Sequence, residues 1–138
     1  MKQIIALLFI FISTTAFARS SYNSPDYRVT SQTFRLANAE YRCFLTAAMI
    51  KSSLDKKLTA STISLSEIIA KAEKKLSKID ANAEWRLAGL NLYQSNYQNQ
   101  KFWYFNLNFR TKDNKYAYML LTLDGKICKV IKIAEQEL

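Results

Sequence analysis

An α+β fold, with one or two N-terminal helices packed on a four-stranded antiparallel meander sheet, is predicted by three features of the sequence. Apolar residues recur at helical spacing between Phe34 and Leu76. After Ala81 the period falls to two, the spacing of a strand with one buried face. Turn-forming residues then punctuate the chain, with Asp124-Gly125 a two-residue hairpin signal because a type I′ turn needs positive φ at both positions.

The first 18 residues are expected to be a signal peptide outside the fold. Lys2 precedes an unbroken apolar run from Ile4 to Ile12, and Ala16-Phe17-Ala18 places small residues where a signal peptidase reads. The run is far shorter than the roughly 20 residues a spanning helix needs, and no cysteine follows it for lipid attachment. Residues 19–32, with the chain's only proline at Pro25, read as an extended lead-in, and residues 33–138 as one domain.

Within that domain, Phe34, Ala37, Tyr41, Phe44, Leu45, Ala48 and Met49 step by threes and fours, which predicts a helix from about Thr33 to Leu54. A connection over Asp55 to Thr62 follows. Ser64-Leu65-Ser66-Glu67 is a capping box, with Ile63 and Ile68 placed as a hydrophobic staple. Leu65, Ile68, Ile69, Ala72 and Leu76 form the apolar stripe of a second helix, while Lys71, Lys74, Lys75 and Lys78 form a basic face, read as solvated. Gly89 sits where the strand alternation changes phase, which predicts a bulge or bend. Tyr93 to Gln100 reads as a long hairpin loop, followed by strands from Lys101 to Thr111, Lys115 to Leu123 and Lys126 to Ile133.

Register sorts the rings of the stretch KFWYFNLNFR, because a one-residue slip moves every side chain to the opposite face. A three-residue loop at Lys112-Asp113-Asn114 places Trp103, Phe105, Leu107, Phe109, Ala117, Met119 and Leu121 together as the core face. The turn at Asp124-Gly125 adds Leu123, Cys128 and Val130 to it. The opposite face carries Tyr104, Arg110, Tyr116, Tyr118, Leu120 and Ile131, too apolar for ordinary solvated surface and too polar for a sealed core. It is read as a binding surface, or equally as a face covered by the first helix, the N-terminal segment or a second copy of the chain.

Composition restricts the chemistry. With 49% hydrophobic residues the chain can bury a core, so disorder is excluded for most of its length. The net charge of +9, reduced by one when Lys2 leaves with the leader, favours anionic partners, and export disfavours nucleic acid among them. There is no histidine, so histidine bases, triads and HExxH metal sites are ruled out, and the two glycines are too few for phosphate-cradling loops. Ser53-Leu54-Asp55-Lys56 matches S-x-x-K without its companion motifs. Asp80, Asp113 and Asp124 read as turn formers. No catalytic residue, cofactor or metal is expected. Cys43 and Cys128, an even pair in an oxidising compartment, are read as one disulfide, with two free buried thiols as the alternative.

The capped helix Ser64-Leu65-Ser66-Glu67 with Ala70 and Ala72, the strand pair Trp103-Tyr104 and the turn Leu123-Asp124-Gly125-Lys126 resemble the PepSY-like domains of exported bacterial proteins. The resemblance spans roughly Ile63 to Ile133 and implies a periplasmic or secreted, non-enzymatic module that binds or inhibits another protein. The helix-then-meander order is also similar to cystatin-like folds, although the Gln-x-Val-x-Gly loop is absent. Three expectations follow: a protein-binding or inhibitory module, an immunity protein against an exported toxin as its special case, and a self-associating envelope protein, a homodimer in the simplest form. The partner is expected to present an acidic or mixed surface, with no stable membrane insertion after leader cleavage.

Overall fold

The computed structural model describes residues 24–54 and 64–133, so the leader, the Asp55–Ile63 connection with its half of the staple, and the last five residues lie outside the described residues. The fold is α+β, with two three-stranded antiparallel sheets in the orders β1-β2-β6 and β3-β4-β5. The elements are β1 (Arg28–Leu36), β2 (Ala39–Thr46), α1 (Ala47–Leu54), α2 (Leu65–Ile79), β3 (Arg86–Tyr97), β4 (Gln100–Arg110), β5 (Tyr116–Thr122) and β6 (Lys129–Ile133).

The predicted first helix is mostly a hairpin. β1 and β2 pair across a turn at Ala37, φ 50°, and Asn38, and only α1 is helical. The lead-in is shorter than predicted, because β1 already begins at Arg28. Phe34 and Leu36 are buried on either side of exposed Arg35, and Cys43 to Thr46 are buried without interruption. The helical spacing of Phe34, Ala37, Tyr41, Phe44 and Leu45 overlaps this pattern, because Phe34, Phe44 and Leu45 serve both, and short apolar runs do not distinguish the two periods. The β-branched and aromatic residues Val29, Thr30, Thr33, Phe34, Tyr41, Phe44 and Thr46 favour the strand.

The second helix follows the predicted cap. Ser64 is extended (φ −68°, ψ 147°) and its Oγ accepts the amide of Glu67 at 3.2 Å. Ile68, Ala72 and Leu76 are buried, whereas Leu65 at the start of the stripe is exposed. Lys75 departs from the expected solvated face: its Nζ donates to the backbone carbonyl of Cys128, fastening α2 to the approach to β6. At the other end Lys115 Nζ bridges Asp80, the C-cap of α2, at 3.1 Å and Asp113 at 3.5 Å. The hydrogen bond and charge of Asp80 raise the Lys115 pKa, and a hydrogen bond from Thr111 lowers that of Asp113.

In the second sheet, the β4/β5 register is the predicted one, with Phe105 opposite Leu121, Leu107 opposite Met119 and Phe109 opposite Ala117. Leu107, Phe109, Ala117, Met119 and Leu121 are all fully buried. The bulge near Gly89 is present as a register shift between Leu87 and Gly89. The predicted long loop from Tyr93 to Gln100 is not: β3 continues to Tyr97, and Gln98-Asn99, at φ 50° and 62°, turns directly into β4. Positive φ at both central positions is the type I′ requirement, met here without glycine.

The converse holds at Asp124-Gly125, where the turn is one residue longer than predicted. The Gly125 amide donates to Thr122 O, the Thr122 amide donates to Lys126 O, and Gly125 alone has positive φ (81°). This is the three-residue loop with a glycine in the left-handed region. The Thr122 hydroxyl supports it, accepting the Lys126 amide at 3.0 Å and donating to the Asp124 carboxylate. The register therefore shifts by one, so Leu121 bridges Ile127 and the Cys128 amide donates to Leu120 O at 2.8 Å. After that bridge the chain leaves the meander: β6 pairs with β2, Cys43 facing Val130, so the predicted four-stranded meander is three-stranded.

Cys43 and Cys128 are fully buried free thiols, the second of the two states the sequence allows. They are in contact, the Cys43 thiol donating to the Cys128 sulfur, which also accepts the Leu120 amide at 3.4 Å. That hydrogen bond and burial raise the Cys43 pKa far above the ordinary thiol range. The same hydrogen bond lowers that of Cys128, with the Lys75 cation assisting.

Candidate functional site

Residues opposite one another in an antiparallel ladder share a face. The face of the second sheet away from Leu107 and Phe109 thus carries Asn91 and Tyr93 from β3, Phe102, Tyr104, Asn106, Asn108 and Arg110 from β4, and Tyr116, Tyr118, Leu120 and Thr122 from β5. It is graded along the strands. Phe102, Leu120 and Thr122 at one end are buried, and the first two belong to the core cluster. Tyr104, opposite Thr122, is half-buried, as are Asn108 and Tyr118 in the middle, while Arg110 and Tyr116 at the other end are exposed, Tyr116 by 47%.

Rings and amides make up the middle of this face. Tyr93 lies opposite Tyr104, ring centroids 5.9 Å apart, and Tyr104 lies 5.8 Å from Phe102. Asn106 is 7% exposed, and the carboxamide oxygens of Asn106 and Asn108 have no hydrogen-bond partner among the described residues. A buried acceptor without a donor is costly, and both oxygens are sealed from a bound molecule.

At the open end the Arg110 guanidinium is held in place. It lies 5.5 Å from the centroid of the Tyr116 ring, and its Nε donates to Asn114 Oδ1 at 3.0 Å, with Nη2 donating to the same oxygen. Asn114 sits at φ 63° in the β4/β5 loop, a conformation its short amide side chain tolerates. Beside it, Arg86, Leu87, Ala88, Arg110, Thr111 and Lys112 line an open hollow of about 310 Å³.

The structure therefore brings together Tyr104, Arg110, Tyr116 and Tyr118 as the sequence predicts, and corrects the other two residues of the expected face. Leu120 has the right parity but is 2% exposed and cannot touch a partner. Ile131 is in β6 opposite Arg42, in the other sheet, because β6 leaves the meander. The expected core face is also incomplete: Trp103 and Phe105 are half-buried, and on β3 Leu92 opposite Phe105 and Leu90 opposite Leu107 are exposed. Leu90, Leu92, Tyr93 and Arg86 were not among the expected site residues. The signal for Tyr93 was the polar alternation Asn91, Tyr93, Ser95, Tyr97, which marks one strand face as clearly as an apolar alternation does.

Among the described residues no group of three or more histidine, cysteine, aspartate or glutamate side chains is placed to hold a metal ion, and no helix is long and apolar enough to cross a membrane. No protein family, curated protein or solved structure matches the chain. Fold and site together define a small α+β domain with a partly open sheet face of tyrosines, amides and one oriented arginine.

Proposed function

We propose that the chain is an exported, non-enzymatic module that binds or inhibits another protein through the open end of this tyrosine face. The observation that carries the reading is the exposed Tyr116 ring under an oriented Arg110, with half-buried Tyr118 next to it on the same face. Tyrosine supplies contact area with a polar tip at low entropic cost, and Arg and Tyr dominate the energetics of protein contacts. The likeness of roughly Ile63 to Ile133 to PepSY-like domains agrees with a binding role, and an immunity protein against an exported toxin is its special case. The test is recovery of a partner from periplasmic extract by the tagged wild-type chain, repeated with Tyr116→Ala and Tyr118→Ala together. Loss of the partner is expected, and full retention overturns the reading.

Export has its own readout. In an oxidising compartment the touching thiols exchange with an external disulfide, forming the Cys43–Cys128 bond while the two sulfurs of the external disulfide leave as thiols. Protein recovered from that compartment takes up no alkylating reagent in denaturant until it is reduced; two labels per chain argue against export.

A second reading, self-association, is favoured by β3. This strand lies at the edge of its sheet, has one charged residue, Arg86, in twelve, and exposes Leu90, Leu92 and Tyr93. Long uncharged edge strands are templates for pairing with another chain. Sedimentation at micromolar concentration separates the readings, since a monomer excludes this one.

A further inference from the structure

The hollow at the end of the second sheet joins two facts that are costly apart. Arg86 and Arg110 are paired directly across the β3/β4 ladder, where like charges destabilise. The bulge between Leu87 and Gly89 falls beside that pair, and bulges re-aim side chains next to binding sites. Lys112 adds a third cation to the lining. The hydrogen bonds to Asn114 occupy the Nε and one Nη2 donor of Arg110, and a guanidinium carries three more.

The chain itself shows what such a place accepts. Glu84 Oε2 lies 3.3 Å from Lys112 Nζ and 3.9 Å from Arg86 Nη2, one carboxylate shared between two cations. All three side chains are about 70% exposed, with values from 69% to 72%, so these pairs hold weakly and exchange readily. One carboxylate against three cations leaves the hollow positive.

We infer that the hollow lined by Arg86, Arg110 and Lys112 is a carboxylate site that takes an acidic side chain of the protein partner. This rests on the binding role proposed above and adds the chemistry of the contact. Arg110 is the specificity-setting residue, because a guanidinium fixed against Tyr116 and Asn114 receives a planar carboxylate without further ordering. Arg86 and Lys112 supply charge from the opposite strand and the loop.

The experiment is calorimetric titration of the full mature chain with an end-blocked hexaglutamate peptide, and with hexaglutamine as the uncharged control. Wild type binds the first and not the second. Arg86→Gln with Arg110→Gln is expected to weaken hexaglutamate binding by about tenfold or more. Lys71→Gln with Lys74→Gln, which removes the same charge from the exposed face of α2, is expected to change it by less than about twofold. Arg110→Lys keeps the charge and loses the planar fork, and is expected to fall between wild type and the double arginine variant; unchanged thermal midpoints show that each variant is folded. Equal losses in the two double variants would mean diffuse attraction to a basic protein and would overturn the proposal. So would inorganic phosphate or anionic vesicles binding with the same arginine dependence while hexaglutamate does not. Because the titration contains no partner, its failure leaves the tyrosine-dependent capture untouched, and the two readings fail separately.

Discussion

Replacing Phe109 by alanine tests the assignment of faces on which the site depends. Phe109 is fully buried near the end of β4, the central strand of its sheet, between Leu87 and Ala117 on the inner face. Deleting a fully buried phenylalanine side chain costs about 3–5 kcal/mol, the lost transfer free energy plus the cavity left behind. A domain of this size is stable by about 5–15 kcal/mol, so the loss is a large fraction of the total. In thermal unfolding followed by circular dichroism it corresponds to a midpoint lower by roughly 15 °C or more. Tyr116→Ala, on the opposite face and half exposed, removes a ring that stacks under Arg110 and is expected to cost about 1 kcal/mol. Leu120→Ala separates face from depth: it shares the face of Tyr116 but is buried, and about 2–5 kcal/mol is expected. A small effect for Phe109→Ala, or one no larger than for Tyr116→Ala, would refute the assignment of inner and outer faces.

Three further outcomes are expected. Replacing Gln98-Asn99 by Asn-Gly fits a turn already at φ 50° and 62°, and should raise the urea midpoint by the equivalent of about 0.5–1 kcal/mol; a loss would show that the turn is not of this type. Ser64→Ala leaves the Glu67 amide without its capping acceptor and should cost about 1 kcal/mol in the same assay, with no cost contradicting the cap. In the reduced protein Cys43 remains protonated in the fold, its pKa raised by the hydrogen bond to Cys128 and by burial, whereas unfolding releases it to ionise near pH 8.5. A raised folded pKa contributes stability below the unfolded value and loses it above, so stability should fall beyond pH 9 by about 1.4 kcal/mol per pH unit more than in the double variant Cys43→Ala/Cys128→Ala, since Cys43→Ala alone would remove the hydrogen bond that lowers the Cys128 pKa. Parallel curves for the two proteins would rule this out.

What could be read in advance follows from how local each signal is. The α2 cap, the bulge by Gly89 and the β4/β5 register are each signalled within a few residues, by a serine hydroxyl, a change in the phase of alternation and a loop of fixed length. β1 and β2 were hidden because Phe34, Ala37, Tyr41, Phe44 and Leu45 also step by threes and fours like a helical stripe, and what chooses the strand is β6, almost ninety residues away, pairing with β2. The second half of β3 was hidden because Gln98-Asn99 lacks the glycine by which such turns are usually recognised.

The site was legible to the same degree and for the same reason. Alternation says which side of a sheet a residue takes, and Tyr104, Arg110, Tyr116 and Tyr118 followed from it once the Lys112 to Asn114 loop was counted correctly. Alternation does not say what lies above that side. Leu120 is two residues from Tyr118 on the same face, yet it is sealed while Tyr118 is half open, because the end of the sheet nearer Phe102 and Thr122 is buried by the rest of the chain. The open end is the one where strands stop, loops begin and cations collect: Arg86 across from Arg110, with Lys112 just beyond. A contact surface confined to that end meets a partner with rings and an oriented guanidinium together, which is why the carboxylate site and the tyrosine face should be parts of one interface while remaining separable by substitution.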